Sequence, residues 1–182
     1  MRSYNLEGII IKRSNYGEAD KLVTLFTKTH GKVTLMARSI RKLTSKRAGS
    51  LELFNLVKIS AVPGRGQIDT LTEVQSLKSF TDWKSQMGRV NIAYQLAETV
   101  DKLTPDRQPH PQIFTILSNG LSQISELGAS WQQTVENWLL QIITELGFWS
   151  QDQEFTGDIY EFIESVSERS LNSPKLLKKL RN

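Results

Sequence analysis

The chain has 182 residues, a formal net charge of +4 at pH 7, 2 histidines and no cysteine. The lack of cysteine excludes disulfides, a thiolate nucleophile and cysteine-ligated zinc, and so few histidines argue against a His-rich metal site or a Ser-His-Asp triad. No apolar run approaches the roughly 18–20 residues that span a bilayer, and the N-terminus lacks a signal peptide's apolar region, so we expect a soluble cytoplasmic protein without a membrane segment.

The charge is divided along the chain. Residues 1–80 carry 14 Lys and Arg against 6 Asp and Glu, whereas residues 81–168 carry 4 basic residues against 13 acidic ones. Residues 169–182 then add 5 basic residues and no acidic one. Blocks of opposite sign predict that a basic N-terminal domain, 1–80, meets a polyanion such as nucleic acid, while a second domain, 81–182, does not.

Five short β-strands with turn residues between them are predicted in the first domain. In chain order they begin with the isoleucines at 9–11 and continue with 22–27, 32–38, 56–62 and 67–74. Strict alternation in the third strand sends Val33, Leu35 and Ala37 to the core and turns Lys32 and Arg38 outward.

Turn residues are found at 14–17, after the first strand, and at 63–66, where Pro and Gly favour a tight turn. Five strands with one long connection between the third and the fourth fit a five-stranded Greek-key barrel of the OB type. A small SH3-like barrel is the alternative on pattern alone.

Basic residues gather on one predicted side of this barrel. The connection 39–50 holds four cations and no acid, and the strand ends and the last turn add more. Such a stripe is how OB barrels follow a phosphate backbone. The candidate residues for binding a nucleic acid are Lys12, Arg13, Lys21, Lys32, Arg38, Arg41, Lys42, Lys46, Arg47 and Arg65.

From Thr81 onward the apolar residues recur with the helical period. Helices are predicted at 90–103, at 111–127, after Ser130, near 158–167 and at 174–180, with a proline-rich linker at 106–111. Ser130 and Gln133 form a capping-box pattern, and Gly147 stands where a helix C′ residue belongs. The fold class is therefore α+β, an OB barrel followed by an α-helical bundle.

The aromatic residues have different predicted roles. Trp131 and Trp138 lie seven residues apart on one helical stripe and are read as packing residues, as is Trp83. Tyr16 neighbours the basic strand ends and is the better candidate for stacking on a base.

Several segments resemble the bacterial recombination mediator RecO family. The most specific is Tyr16-Gly17-Glu18-Ala19-Asp20, within a similar stretch that runs from Gly8 to Lys32. Two further segments also resemble the family: Pro63–Gly66 with Asp69-Thr70-Leu71, and Ala97-Glu98 to Pro105. The resemblance implies an N-terminal OB domain, an α-helical C-terminal domain and no enzymatic activity or cofactor.

The chain departs from that family near 150–158. Family members commonly carry an insert there that often holds a four-cysteine zinc site, whereas this stretch is short, polar and free of cysteine. The segment 168–177 again resembles the family's C-terminal end. We therefore expect a short member without the zinc-bearing insert and without a bound metal.

The resemblance also implies a function in DNA repair and homologous recombination. Family members bind single- and double-stranded DNA, anneal complementary strands and, with RecR, load RecA onto strands covered by single-strand-binding protein (SSB), whose C-terminal tail docks on the helical domain. The expected location is the cytoplasm, at the nucleoid. Two other classes stay open: an RNA-binding OB module in RNA metabolism, and a metal-dependent nuclease using Glu18 and Asp20.

Overall fold

The computed structural model describes residues 3–40, 49–64, 66 and 68–173. The chain divides into two compact units. The first takes in Met1–Ser79 and the short segment Asp106–Pro111, and the second takes in Phe80–Pro105 and Gln112–Asn182. The segment expected to be a linker thus belongs to the N-terminal unit.

The first unit is a closed five-stranded barrel with the strand order β1-β2-β3-β5-β4. Neighbouring strands are antiparallel, except that β3 and β5 pair in parallel where the barrel closes. This order confirms the predicted OB fold over the alternative barrel. The strands are β1 (Tyr4–Tyr16), β2 (Asp20–Thr27), β3 (Gly31–Ala37), β4 (Leu56–Val62) and β5 (Asp69–Lys78).

Alternating apolar side chains fill the barrel. The predicted alternation of β3 is confirmed, since Val33, Leu35 and Ala37 are buried and the residues between them are only half-buried. β2 departs from it, because all five residues from Val23 to Thr27 are buried. Ile40 and Leu51, which lie outside the strands, complete the core at one end.

Several strand boundaries differ from the prediction; β1, for example, begins at Tyr4 and β2 at Asp20, both earlier than expected. β1 does not turn at Ser14 but stays paired with β2 as far as Tyr16, and the turn occupies residues 17–19. Cross-strand pairing outweighs the turn preference of Ser14 and Asn15, and Gly17, at φ 57°, supplies the tight reversal. β5 likewise extends beyond the predicted residue 74, because it pairs with β4 up to Lys78.

The second unit is helical. Most residues of its apolar stripes are buried, which confirms the packing role predicted for Trp138, whereas Trp131 is only half-buried. Trp83 is buried as predicted and donates its indole N–H to the Leu121 carbonyl at 2.9 Å. No helix in the described part of the chain has the length and apolar character needed to cross a membrane. The helices are α1 (Met87–Leu103), α2 (Pro111–Gln123), a 3-10 turn (Ile124–Glu126), α3 (Trp131–Glu145) and α4 (Ile159–Ser167).

The helix ends agree with the sequence in part. Gly147 has φ 79° and ends α3 in a Schellman motif, with Phe148 N–H donating to the Ile143 carbonyl at 2.9 Å. The capping box at Ser130 was predicted wrongly, since its side chain makes no capping hydrogen bond. Asp158 caps α4 instead, accepting from the N–H groups of Tyr160 and Glu161.

The short connection from α3 to α4 has its own aromatic cluster. The rings of Trp149, Phe155 and Phe162 pack edge to face with centroid separations of 5.0, 5.5 and 5.7 Å. The Trp149 indole also donates to the Gln153 carbonyl at 3.0 Å. Edge-to-face packing of this kind stabilises the connection and joins it to the first turns of α4.

Polar side chains of α1 hold the last described residues. Asn91 Nδ2 donates to the Ser173 carbonyl at 2.8 Å. Gln95 donates its Nε2 to Asn91 Oδ1 and accepts the Tyr160 hydroxyl on its Oε1. Glu98 accepts hydrogen bonds from the backbone N–H groups of Asn172 and Ser173.

The carboxylate of Glu98 is stabilised in its charged form. Burial raises the pKa of Glu98, but the hydrogen bonds from Asn172, Ser173 and Lys102 outweigh it and hold that pKa below its usual range. Lys102 stands one helical turn away, with its Nζ 2.9 Å from Glu98 Oε1. This arrangement ties residues 172 and 173 to the middle of α1.

Candidate nucleic-acid interface

Part of the barrel extends beyond β4 as an arm. β4 pairs with β1 only over Tyr4–Ile9, and Phe54 and Asn55 bond Ile10. From Lys12 to Tyr16, β1 is paired with β2 alone, and we call these residues, with their partners from Asp20 to Thr24, the arm. The described strand ends of β1, β2 and β3 therefore meet at this end of the barrel.

The registers decide which side chains of the arm face outward. Arg13 pairs with Val23 and Lys21 pairs with Ala37, so both cations stand in rows that also hold core residues. Lys12 pairs with Thr24 in an outward-facing row, two residues from Ser14 and four from Tyr16. The predicted basic stripe is thus divided between the outer face and the mouth of the barrel.

Arg13 is engaged in holding a loop. Its two terminal nitrogens each lie 2.9 Å from an oxygen of Glu52, and one of them also donates to the Leu51 carbonyl at 2.9 Å. The side chain is only 20% exposed. A bidentate pair of this kind neutralises the cation and fixes the chain where it re-enters the core at Leu51.

Lys32 is engaged in a similar way. Its Nζ lies 3.5 Å from Asp106 Oδ1, and its side chain is 12% exposed. The Lys32 carbonyl accepts the N–H of Arg107 at 2.9 Å. The segment from Asp106 thus lies along the start of β3, on the same side as this cation.

The remaining described candidates lie at the arm. Lys12 and Arg38 are exposed, Lys21 is half-buried, and Arg38 directly follows β3. Ser39, at φ 55°, donates its N–H to Asp20 Oδ1 at 2.7 Å, which fixes the start of the connection. Arg41, Lys42, Lys46, Arg47 and Arg65 lie outside the described residues.

Both ends of the basic connection are held at the arm's end of the barrel. Ile40 and Leu51 are buried in the barrel core. Asn55 Nδ2 donates to the carbonyls of Gly49 and Ser50, each at 3.2 Å. The sequence between Ile40 and Gly49 contains four of the candidate cations.

Sequence reasoning missed a second polar cluster, at the opposite end of the barrel. Asp69 Oδ2 accepts the Tyr4 hydroxyl at 2.5 Å, Oδ1 accepts the Gly64 N–H at 3.2 Å, and Arg107 Nη2 lies 3.7 Å away. The hydrogen bond from Tyr4 holds the pKa of Asp69 below its usual range. Burial, together with the same hydrogen bond, raises the pKa of Tyr4 to about 12. Asp69 thereby fixes Gly64, two residues after the end of β4. The signal in the sequence was that Gly64 and Asp69 belong to a segment with the family resemblance noted above.

The acidic pair considered for metal chemistry is not built as a site. Glu18 is exposed in the turn, and Asp20 accepts the Ser39 N–H. Among the described residues, no three His, Asp or Glu side chains come together in a way that could hold a metal ion.

Comparisons with known proteins agree on one family. The family described as recombination protein O, N terminal, matches residues 1–80, and recombination protein O, C terminal, matches residues 85–150. The resemblance inferred for 168–177 lies outside these matches and stays a prediction.

Three relatives share the description DNA repair protein RecO. The chain is 32% identical to the one from Symbiobacterium thermophilum over 148 residues, which is 81% of this chain and 58% of the relative. It is 35% identical to that of Roseiflexus sp. over 147 residues, 81% of this chain and 51% of the relative. The protein of Pelotomaculum thermopropionicum is 26% identical over 148 residues, 81% and 57% of the two chains.

The chain spans between half and three fifths of the length of these relatives. Both family matches and the barrel-then-helices order agree with the resemblance noted in the sequence. The chain therefore belongs to the RecO family of DNA repair proteins.

Proposed function

We propose that this protein binds single- and double-stranded DNA through its barrel and anneals complementary strands. With RecR, it would load RecA onto single strands covered by SSB. The observation that carries the DNA-binding part is the convergence at one end of the barrel. Lys12, Lys21 and Arg38 lie there, and both ends of the connection with four further cations are fixed beside them.

The charge distribution also supports DNA binding by the N-terminal unit. The N-terminal 80 residues carry 14 basic against 6 acidic side chains. Cations that replace the counterions of a phosphate backbone gain affinity from counterion release, without reading sequence. Annealing requires this kind of charge neutralisation, because two polyanions must be brought together while the base edges of both strands stay free to pair.

The partners RecR and SSB rest on family membership. The acidic residues of 81–168 disfavour phosphate, which leaves the helical unit for protein contacts. We propose no catalytic step. Annealing is expected to proceed without ATP, and strand cleavage in the presence of Mg²⁺ or Mn²⁺ would instead support the nuclease alternative.

The DNA-binding proposal is tested by the salt dependence of binding to a single-stranded oligonucleotide. Each lost phosphate contact lowers the log–log slope by about 0.7. Replacing Arg38, Arg41, Lys42, Lys46 and Arg47 by Ala is expected to lower the slope by up to about 3.5 and to weaken binding, with little change in thermal stability.

The matched control is Lys58→Ala, which removes an exposed cation from β4, a strand outside the arm. It should leave the slope nearly unchanged. A five-residue variant that binds with the wild-type slope would contradict the proposed surface. An RNA competitor that displaces DNA at much lower concentration than unlabelled DNA does would favour the RNA-binding alternative.

A further inference from the structure

Tyr16 is an aromatic side chain left open at the end of the arm. It is 53% exposed, although it is the last residue of a paired strand. Among the described residues, its side chain makes no hydrogen bond and no ring contact. Packing in the barrel therefore does not account for an aromatic ring at this position.

The position of the ring relative to the cations is set by the strands. Lys12 and Tyr16 share the outer face of β1, and a spacing of four strand residues separates them by about 13 Å. Arg38 follows the end of β3, two strands across from β1, which corresponds to roughly 10 Å. The ring thus lies at the edge of the cationic surface, within reach of a strand bound to it.

A single strand and a duplex differ in what they can offer such a ring. The bases of a duplex are already stacked on each other, whereas an unpaired base has a free face that stacks on an aromatic side chain. Phosphate contacts alone are available in both. An open ring beside cations therefore favours the unpaired strand.

The charges around the ring also give the direction of approach. Glu18 is exposed in the turn beyond Tyr16 and would repel a phosphate there. Lys12 lies on the other side of the ring, along β1, and Arg38 lies across β2. Asp20, the cross-strand partner of Tyr16, stands between the ring and Arg38, and its Oδ1 accepts the Ser39 N–H. A strand would cross the arm between these cations with a base over the ring, and would not pass over the tip of the turn.

We propose that Tyr16 is a base-stacking residue that gives this barrel a preference for unpaired over paired DNA. The inference rests on the proposed function, since it names a discriminating residue of the same surface. It predicts that removal of the ring affects one form of DNA and spares the other.

The test compares Tyr16→Ala and Tyr16→Phe with the wild-type full chain, using a fluorescent oligo-dT and a duplex of equal length. Tyr16→Ala is expected to weaken single-strand binding about 5- to 150-fold and to change duplex binding less than about two-fold. Tyr16→Phe, which keeps the ring, should bind both forms as the wild type does. Tyr94→Ala, which removes an exposed aromatic from α1, is the control and should bind both normally.

The outcomes separate the inference from the proposed function. If Tyr16→Ala loses single-strand and duplex binding equally, or loses neither, Tyr16 does not stack on bases, while DNA binding itself stands. If the wild type binds neither form at low salt, the DNA-binding proposal fails and the inference fails with it. A melting temperature of Tyr16→Ala equal to that of the wild type ensures that a loss of binding is not a loss of fold.

Discussion

Replacing Gly31 with alanine is expected to destabilise the barrel by about 3 kcal/mol. Gly31 has φ 66°, where an alanine costs about 1–2 kcal/mol. A Cβ at this position would stand 2.0 Å from the carbonyl oxygen of Gln108 and 2.7 Å from its backbone nitrogen. These are main-chain atoms, so the whole segment from Asp106 would have to move away from β3.

That movement has its own cost. It breaks the Arg107 N–H bond to the Lys32 carbonyl, which contributes about 1 kcal/mol, and the Lys32–Asp106 ion pair, which contributes at most about 1 kcal/mol. The loss of chain entropy in the unfolded state offsets these terms by less than about 1 kcal/mol. The assay is urea unfolding followed by far-UV circular dichroism.

Gly17→Ala is the matched control. Gly17 also has a positive φ, 57°, but no atom lies within 4 Å of the place that an alanine Cβ would occupy there. It should cost only the conformational part, about 1–2 kcal/mol. If the free energies of unfolding of the two variants differ by less than about 0.5 kcal/mol, the contact between Gly31 and Gln108 does not hold the segment on the barrel.

Two further predictions concern carboxylates. Glu98→Gln is expected to lower the free energy of unfolding by about 2 kcal/mol at pH 7. Because the pKa of Glu98 is lowered in the folded state, the carboxylate stabilises the fold above its unfolded-state pKa, and this stabilisation is lost as the pH falls through its folded-state pKa. Urea titrations at pH 7 and pH 3 should therefore show that the difference in stability between wild type and variant becomes smaller in acid. Arg13→Ala should lower the free energy of unfolding by about 2 kcal/mol, because Glu52 and the Leu51 carbonyl lose their donor. Lys28→Ala, at an exposed turn, is the control and should change it by less than about 0.5 kcal/mol. Equal losses of stability in thermal unfolding would contradict the anchoring role of Arg13.

The strand and helix order could be predicted because local patterns determine it. The alternation around Val33 and Leu35 located β3 and its inner face, and the glycine after α3 located the end of that helix. The turn after β1 could not be placed in the same way. Its boundary depends on pairing between Tyr16 and Asp20, and turn preferences carry no information about such a partner.

The orientation of the basic residues was beyond local pattern. The pairing of β1 shifts between Ile10 and Lys12, and one extra residue in a strand turns every later side chain to the other face. Lys12 therefore faces outward and Arg13 faces the mouth of the barrel. Three consecutive isoleucines, at 9–11, give no sign of where the extra residue lies.

The partners of these cations are also distant in sequence. Arg13 meets Glu52, 39 residues later, and Lys32 meets Asp106. A list of basic residues cannot distinguish cations that hold the fold from cations that are left for a ligand. The charge of the domain was therefore predictable, whereas the role of each basic residue in the fold was not.

The polar contacts of α1 have a consequence for protein synthesis. Asn91 finds its acceptor in Ser173, 82 residues later, and Glu98 finds its donors at 172 and 173. At roughly 5–20 residues per second, a ribosome takes about 4–16 s to make that intervening stretch. During this interval a nascent α1 carries an amide and a carboxylate that have not met these partners. The barrel strands are complete by Lys78 and the segment that packs on β3 by Pro111, so the nascent chain holds all of its N-terminal unit before α1 can settle into its final packing.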